Sequence, residues 1–146
     1  MIRLNEHIWI GDSADERYTD IDTECIGAIL NVAQDLQARG HRRGVEYMQV
    51  GIIDGPGNPP AAYHAAVLAL VTLLKRHEQV LVCCHTGGRS LAVAILHMGM
   101  TTGHDWDGLL GILRERVDAV LPVPHAAHRA AFSKMNWRLL NSVMGD

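Results

Sequence analysis

The run Val80-Leu81-Val82-Cys83-Cys84-His85-Thr86-Gly87-Gly88-Arg89-Ser90 constrains the fold more than any other stretch of this chain. A short, continuously apolar segment is what a central parallel strand requires, because both its faces are buried. Two glycines then turn the backbone, and Ser90 is well suited to cap or open the helix expected over Ser90–Met100. A strand that passes through glycines straight into a helix is the building unit of α/β proteins. In such folds ligands sit at the carboxyl ends of the central strands, where this strand delivers Cys83 and Cys84.

The rest of the chain supplies elements for the same architecture. His7–Ile10, Ala28–Val32 and Glu46–Ile53 read as strands, the first closed by a Gly11-Asp12 turn. Asp15–Glu24 reads as a surface helix or loop, Gln37–Gly44 as a loop bracketed by glycines, and Asp54–Pro60 as the strongest loop signal. Prolines open a helix over Ala61–His77 whose apolar residues cover most of its circumference, so heavy burial is expected. Trp106–Arg116 and Ala126–Val143 read as two further helices around a Val-Leu-Pro-Val-Pro loop. The expected fold is one α/β domain over residues 1–146, with a central, mostly parallel sheet of four or five strands flanked by helices.

Composition limits the function classes. With 146 residues and a formal charge of −3, the chain lacks the basic surface that nucleic acid or an anionic membrane would demand. No run spans a bilayer, and the N-terminus lacks a signal-peptide layout, so a cytoplasmic protein is expected. Three cysteines, two of them adjacent, make a poor disulfide framework and point to reduced thiols.

The chemistry is concentrated in the glycine loop. Glycines let successive N–H groups converge into an anion-binding nest, and the helix start adds its unpaired N–H groups. Arg89 offers a planar fork for two phosphate oxygens. The positive field of such a cradle favours the thiolate of a sulfur placed in it. Ser90 can donate a hydrogen bond to that thiolate and help it leave in a second step. His85, Thr86, Gly87, Gly88 and Ser90 are the expected substrate-binding residues, His85 either as a cation in the cradle or as a spacer.

Asp54 lies thirty residues before Cys84 and opens the glycine- and proline-rich loop. A carboxylic acid there can protonate the leaving oxygen of a phosphate ester, then activate water. Asp-Gly-Pro is equally a good turn sequence by itself.

Taken in order, Ile8–Asp12, Ile29–Ala33, Tyr47–Asp54, Val80–His85 and Arg114-Glu115-Arg116 with its proline loop resemble the dual-specificity branch of the protein tyrosine phosphatases. The resemblance implies a cysteine-dependent phosphatase acting through a phosphocysteine, with Asp54 as the general acid. The loop departs from the family pattern of His, nucleophilic Cys, then five residues before Arg. Aligning the strand makes Cys84 the nucleophile, with only four residues before Arg89; counting back from Arg89 makes it Cys83. Strand length favours Cys84. Side chains alternate along a strand, so only one of the two cysteines faces the cradle, and the other packs or serves as a redox partner.

The contracted loop from Cys84 to Arg89 is similar to the active loop of rhodanese-like sulfurtransferases, which carry a persulfide. A third reading is an inactive phosphate-binding module. No metal or organic cofactor is expected. The expected partner is a phosphorylated protein or small phosphomonoester, with neither nucleic acid nor membrane. His125 and His128 read as solvent-facing histidines, Asp12 and Asp35 as turn residues (Asp12 with a distant alternative as a carboxylate near the site), Arg42-Arg43 as a solvated loop, and Trp106 and Trp137 as core.

Overall fold

The computed structural model describes residues 1–12, 20–35 and 44–144. Arg42, Arg43, the 37–43 part of the expected Gln37–Gly44 loop and residues 15–19 of the expected surface segment lie outside that range. In chain order the elements are β1 (Ile2–Arg3), β2 (Ile8–Gly11), α1 (Asp20–Thr23), β3 (Ala28–Ala33), β4 (Glu46–Ile52), α2 (Pro60–Arg76), β5 (Val80–Cys83), α3 (Gly88–Thr102), α4 (Trp106–Arg116), α5 (Ala126–Phe132) and α6 (Trp137–Met144).

The five strands form one sheet in the order β1-β2-β5-β3-β4. Only the two-residue edge strand β1 runs antiparallel to its neighbour; β2, β5, β3 and β4 are parallel. The central strand β5 pairs Val82 with Ile10 on one side and with Leu30 on the other. All four residues of β5 are buried, as its unbroken apolar run requires.

The two-residue period of the pleat sorts the core. Ile8, Ile10, Leu30, Val32, Val80 and Val82 point into the main core, shared with the buried faces of α2, α3 and α4 and with Ala131 and Leu140 of α5 and α6. Trp9, Ile29, Leu81 and Cys83 point to the other face, where Ile21 and Ile26 cover them. The sheet is therefore flanked unequally, with α2 to α6 contributing to one face and α1 to the other. Helix α3 is the central helix: every residue from Gly88 to Met100 is buried.

Three boundaries differ from expectation for identifiable reasons. Helix α3 begins two residues before Ser90, because Gly87 occupies the cap in the left-handed region at φ 91°. It ends where Gly103, also left-handed, closes it. The single helix expected over Ala126–Val143 is two. Asn136 caps α6 by accepting from the Leu139 N–H, while its own N–H donates to His64 Nε2 on α2 over 2.8 Å. No helix among the described residues is long and apolar enough to cross a membrane.

Candidate active site

Four parallel strands end at one place. Gly11 closes β2, Asp35 follows β3, Asp54 follows β4, and Cys84 follows β5. Cross-bonds tie these ends together: the Cys84 N–H donates to Gly11 O over 3.3 Å, and the Gln34 N–H to Ile52 O over 3.2 Å.

At the centre is the Cys84 sulfur, almost fully buried. It accepts from the Gly87 N–H at 3.1 Å, the Ser90 N–H at 3.4 Å and the Ser90 hydroxyl at 3.1 Å. The chain thus curls round its own sulfur, and the first turn of α3 points its amides at it. Donors converging in this way stabilise negative charge on sulfur or on an anion beside it. The Ser90 hydroxyl has a second acceptor, Gly11 O at 3.3 Å. It holds one hydrogen, so the sulfur and the carbonyl compete for it.

Gly87 and Gly88 have a second reason to be glycine. A Cβ on Gly87 would stand 3.1 Å from the Pro122 ring, and one on Gly88 would stand 3.2 Å from Val123 O. The proline loop before α5 packs directly on the Cys84–Ser90 loop, and side chains there would push the two apart.

Arg89 is buried to 3% exposure and held from one nitrogen. Its Nη1 donates to Asp35 Oδ1 and to Ile52 O, both at 2.8 Å. Asp35 also places Oδ2 at 3.5 Å from His85 Nε2. The hydrogen bond from Arg89 holds the Asp35 carboxyl below its ordinary range, against a smaller opposing effect of burial. Asp35 lies in a turn, as expected, and is in addition the anchor of the arginine. His85 turns to the rim and faces Asp35. Thr86 is exposed and lines a groove of about 370 Å³ with Gly11, Asp12, Gly87, Val120 and Pro122.

Cys83 sits on the opposite face of the sheet, buried with Trp9, Ile21 and Leu81. The pleat has separated the adjacent cysteines, and neither is in a disulfide.

Asp54 is half exposed, and its Oδ1 lies 3.3 Å from His128 Nε2. The loop that carries it is pinned by Asn58, whose Oδ1 accepts from the Ile53 N–H and whose Nδ2 donates to Ile53 O, both at 2.8 Å. His128 is completely buried rather than solvent-facing. It sits on α5 against the Tyr63 hydroxyl, 2.8 Å from its Nδ1. Burial pushes the His128 imidazole below its ordinary pKa, partly opposed by Asp54, and burial raises Tyr63. His125, by contrast, is an exposed cap of α5. The spacing of His125 and His128 in sequence carried no sign of this, because both partners of His128 come from β4–α2, more than sixty residues earlier.

No protein-family model matches the chain, and no curated protein matches it in sequence. Solved structures do resemble it closely in shape. The structure of DUSP15 superposes with a TM-score of 0.79 at 12% identity, covering 98% of this chain and 93% of that one. Human tyrosine phosphatase-like serine/threonine/tyrosine-interacting protein gives 0.78 at 16% identity over 96% and 97%. A mouse putative dual specificity phosphatase complexed with zinc tungstate gives 0.75 at 21% identity over 98% and 90%. With its mostly parallel five-stranded sheet and its helices in the same arrangement, this chain has the fold of the dual-specificity and tyrosine phosphatases.

Proposed function

We propose that this protein is a cysteine-dependent phosphatase that hydrolyses phosphomonoesters of the phosphotyrosine, phosphoserine or phosphothreonine type through a phosphocysteine. The observation that carries the reading is the threefold donation to Cys84 Sγ from Gly87 and Ser90 at the start of α3, with Arg89 fixed beside it. In the first step the Cys84 thiolate attacks phosphorus and the P–O bond to the leaving group breaks, the departing oxygen taking a proton from Asp54. The loop amides and Arg89 hold the equatorial oxygens. In the second step water, deprotonated by Asp54, attacks the phosphocysteine; the S–P bond breaks and Ser90 donates to the departing thiolate.

The test is hydrolysis of para-nitrophenyl phosphate under reducing conditions by wild type, Cys84→Ser and Cys83→Ser. Loss confined to Cys84→Ser supports the assignment. Full activity in Cys84→Ser with loss in Cys83→Ser overturns it.

The contracted loop, with four residues between Cys84 and Arg89, favours a second reading: sulfur transfer through a Cys84 persulfide. Thiosulfate and cyanide distinguish it, since only a sulfurtransferase produces thiocyanate from them.

A further inference from the structure

We propose that His128 is the positioning residue of the acid loop, dictating which oxygen of Asp54 carries the transferable proton. The inference rests on the phosphatase reading and goes beyond it in giving the buried histidine of α5 a part in the proton transfer.

The hydrogen bonds have a direction that can be worked out from one end. Asn58 Oδ1 must accept from the Ile53 N–H and its Nδ2 must donate to Ile53 O, which fixes the orientation of the amide. Its remaining N–H faces the Tyr63 oxygen at 3.3 Å, shared with Gly55 O at the same distance. A phenol oxygen that accepts from Asn58 has its own hydrogen to give. The nearest acceptor is His128 Nδ1 at 2.8 Å. An imidazole that accepts at Nδ1 and is kept neutral by burial carries its hydrogen on Nε2. That hydrogen points at Asp54 Oδ1, 3.3 Å away. The chain of donors runs Asn58, Tyr63, His128, Asp54.

Two consequences follow for Asp54. Its Oδ1 already receives a hydrogen, so the proton of the acid form sits on Oδ2, the oxygen turned away from His128. The carboxylate is also held by a partner that is itself fixed in the core, whereas Asp54 alone is a half-exposed loop side chain. A positioned acid is worth far more than a mobile one at the same protonation state. Among the described residues the charged groups that act on His128 are Asp54 in front, with His125 and Arg89 as weaker opposing influences.

The experiment compares wild type with His128→Phe, His128→Gln and Asp54→Asn on two esters. Phenyl phosphate has a poor leaving group that needs a proton; 2,4-dinitrophenyl phosphate has one that leaves without it. His128→Phe is expected to lose about tenfold or more in kcat/KM on phenyl phosphate, the scale of one charge-assisted hydrogen bond; kcat/KM is the quantity compared on both esters, because it reports the first step alone and leaves out the water attack they share. On the dinitrophenyl ester it should stay within about twofold. His128→Gln, which keeps an N–H near the Nε2 position, should recover part of the loss. In an Asp54→Asn background His128→Phe should add nothing.

Equal losses on both esters, or a full additional loss in the double variant, would show a merely structural histidine and overturn the proposal. A wild type that hydrolyses neither ester overturns the phosphatase reading instead, which these outcomes keep separate. Nitrogen NMR of the imidazole decides without turnover. The wild type should show the Nε2–H tautomer, shifted by Tyr63→Phe and by Asp54→Asn, and an Nδ1–H tautomer in the wild type would also refute the role.

Discussion

Arg89 Nη1 donates to Asp35 Oδ1 at 2.8 Å across a sequence separation of 54 residues, joining a buried guanidinium to an exposed carboxylate. The pair presents an approaching oxyanion with a cation whose charge is already partly answered.

Replacing Asp35 by Asn keeps an oxygen that can accept from Arg89 and removes the competing charge. Inorganic phosphate should then bind roughly two- to fivefold tighter, the difference shrinking with salt. Because Asp35 is exposed, the loss in stability should stay below about 1 kcal/mol. The lowered carboxyl contributes stability above the ordinary carboxylate pKa, and it is lost as pH falls through the lowered value. Isothermal titration with phosphate decides the matter, and weaker binding in Asp35→Asn would contradict this account.

Ser90→Ala removes the hydroxyl that donates to the Cys84 sulfur. A hydrogen bond to a charged group is worth about 1.5–3 kcal/mol, so departure of the thiolate should slow by about 10- to 100-fold. Rapid mixing with para-nitrophenyl phosphate should show a burst of nitrophenolate and then a slow steady state. No burst, with the first turnover slowed instead, would place the serine in the first step.

Gly87→Ala puts a Cβ in the left-handed region and against Pro122. The expected cost is about 1–2 kcal/mol of unfolding free energy, read as a lower urea midpoint, together with weaker phosphate binding. Gly88→Ala should weaken binding through its contact with Val123 O, without the backbone strain. An unchanged midpoint in Gly87→Ala would show that the loop relaxes freely.

His97, in the middle of α3, is buried, and its Nδ1 has no hydrogen-bond partner among the described residues. Burial pushes its pKa down from 6.5 to about 4. Between those values the unfolded chain binds a proton that the folded chain refuses, so stability falls as the solution is acidified. The full loss is about 3 kcal/mol. His97→Leu should flatten the slope of stability against pH in this window and be about 1 kcal/mol more stable at pH 7, since an unsatisfied polar atom is gone. Denaturant curves at several pH values test both, and an unaltered slope would assign the acid sensitivity elsewhere.

The parts of this molecule that were legible from sequence are those whose causes are local. The run from Val80 to Ser90 holds the strand, the turn glycines, the thiol and the arginine within one stretch, and β5 and α3 follow from it directly. The parity of a strand likewise sends Cys83 and Cys84 to opposite faces once β5 is in place. What sequence reading missed depends on partners far along the chain. Asp35 is the turn residue it looks like, but its hold on Arg89 shows only once Arg89 is folded against it. His128 looks solvent-facing until α5 lays it under the β4–α2 loop. The break between α5 and α6 needs His64, 72 residues away, to take the Asn136 N–H. The two-residue strand β1 is too short to show any alternation.

The opposite orientation of the two adjacent thiols also bears on how this protein meets oxidants. A sulfenic acid formed on Cys84 would find Cys83 on the far side of the sheet, while Cys25 lies before β3, at the other end of the strands. The chain holds no further cysteine. Oxidation at Cys84 therefore has no internal disulfide to stop at, and its reversal depends on a thiol from outside before the sulfur advances to the sulfinic state.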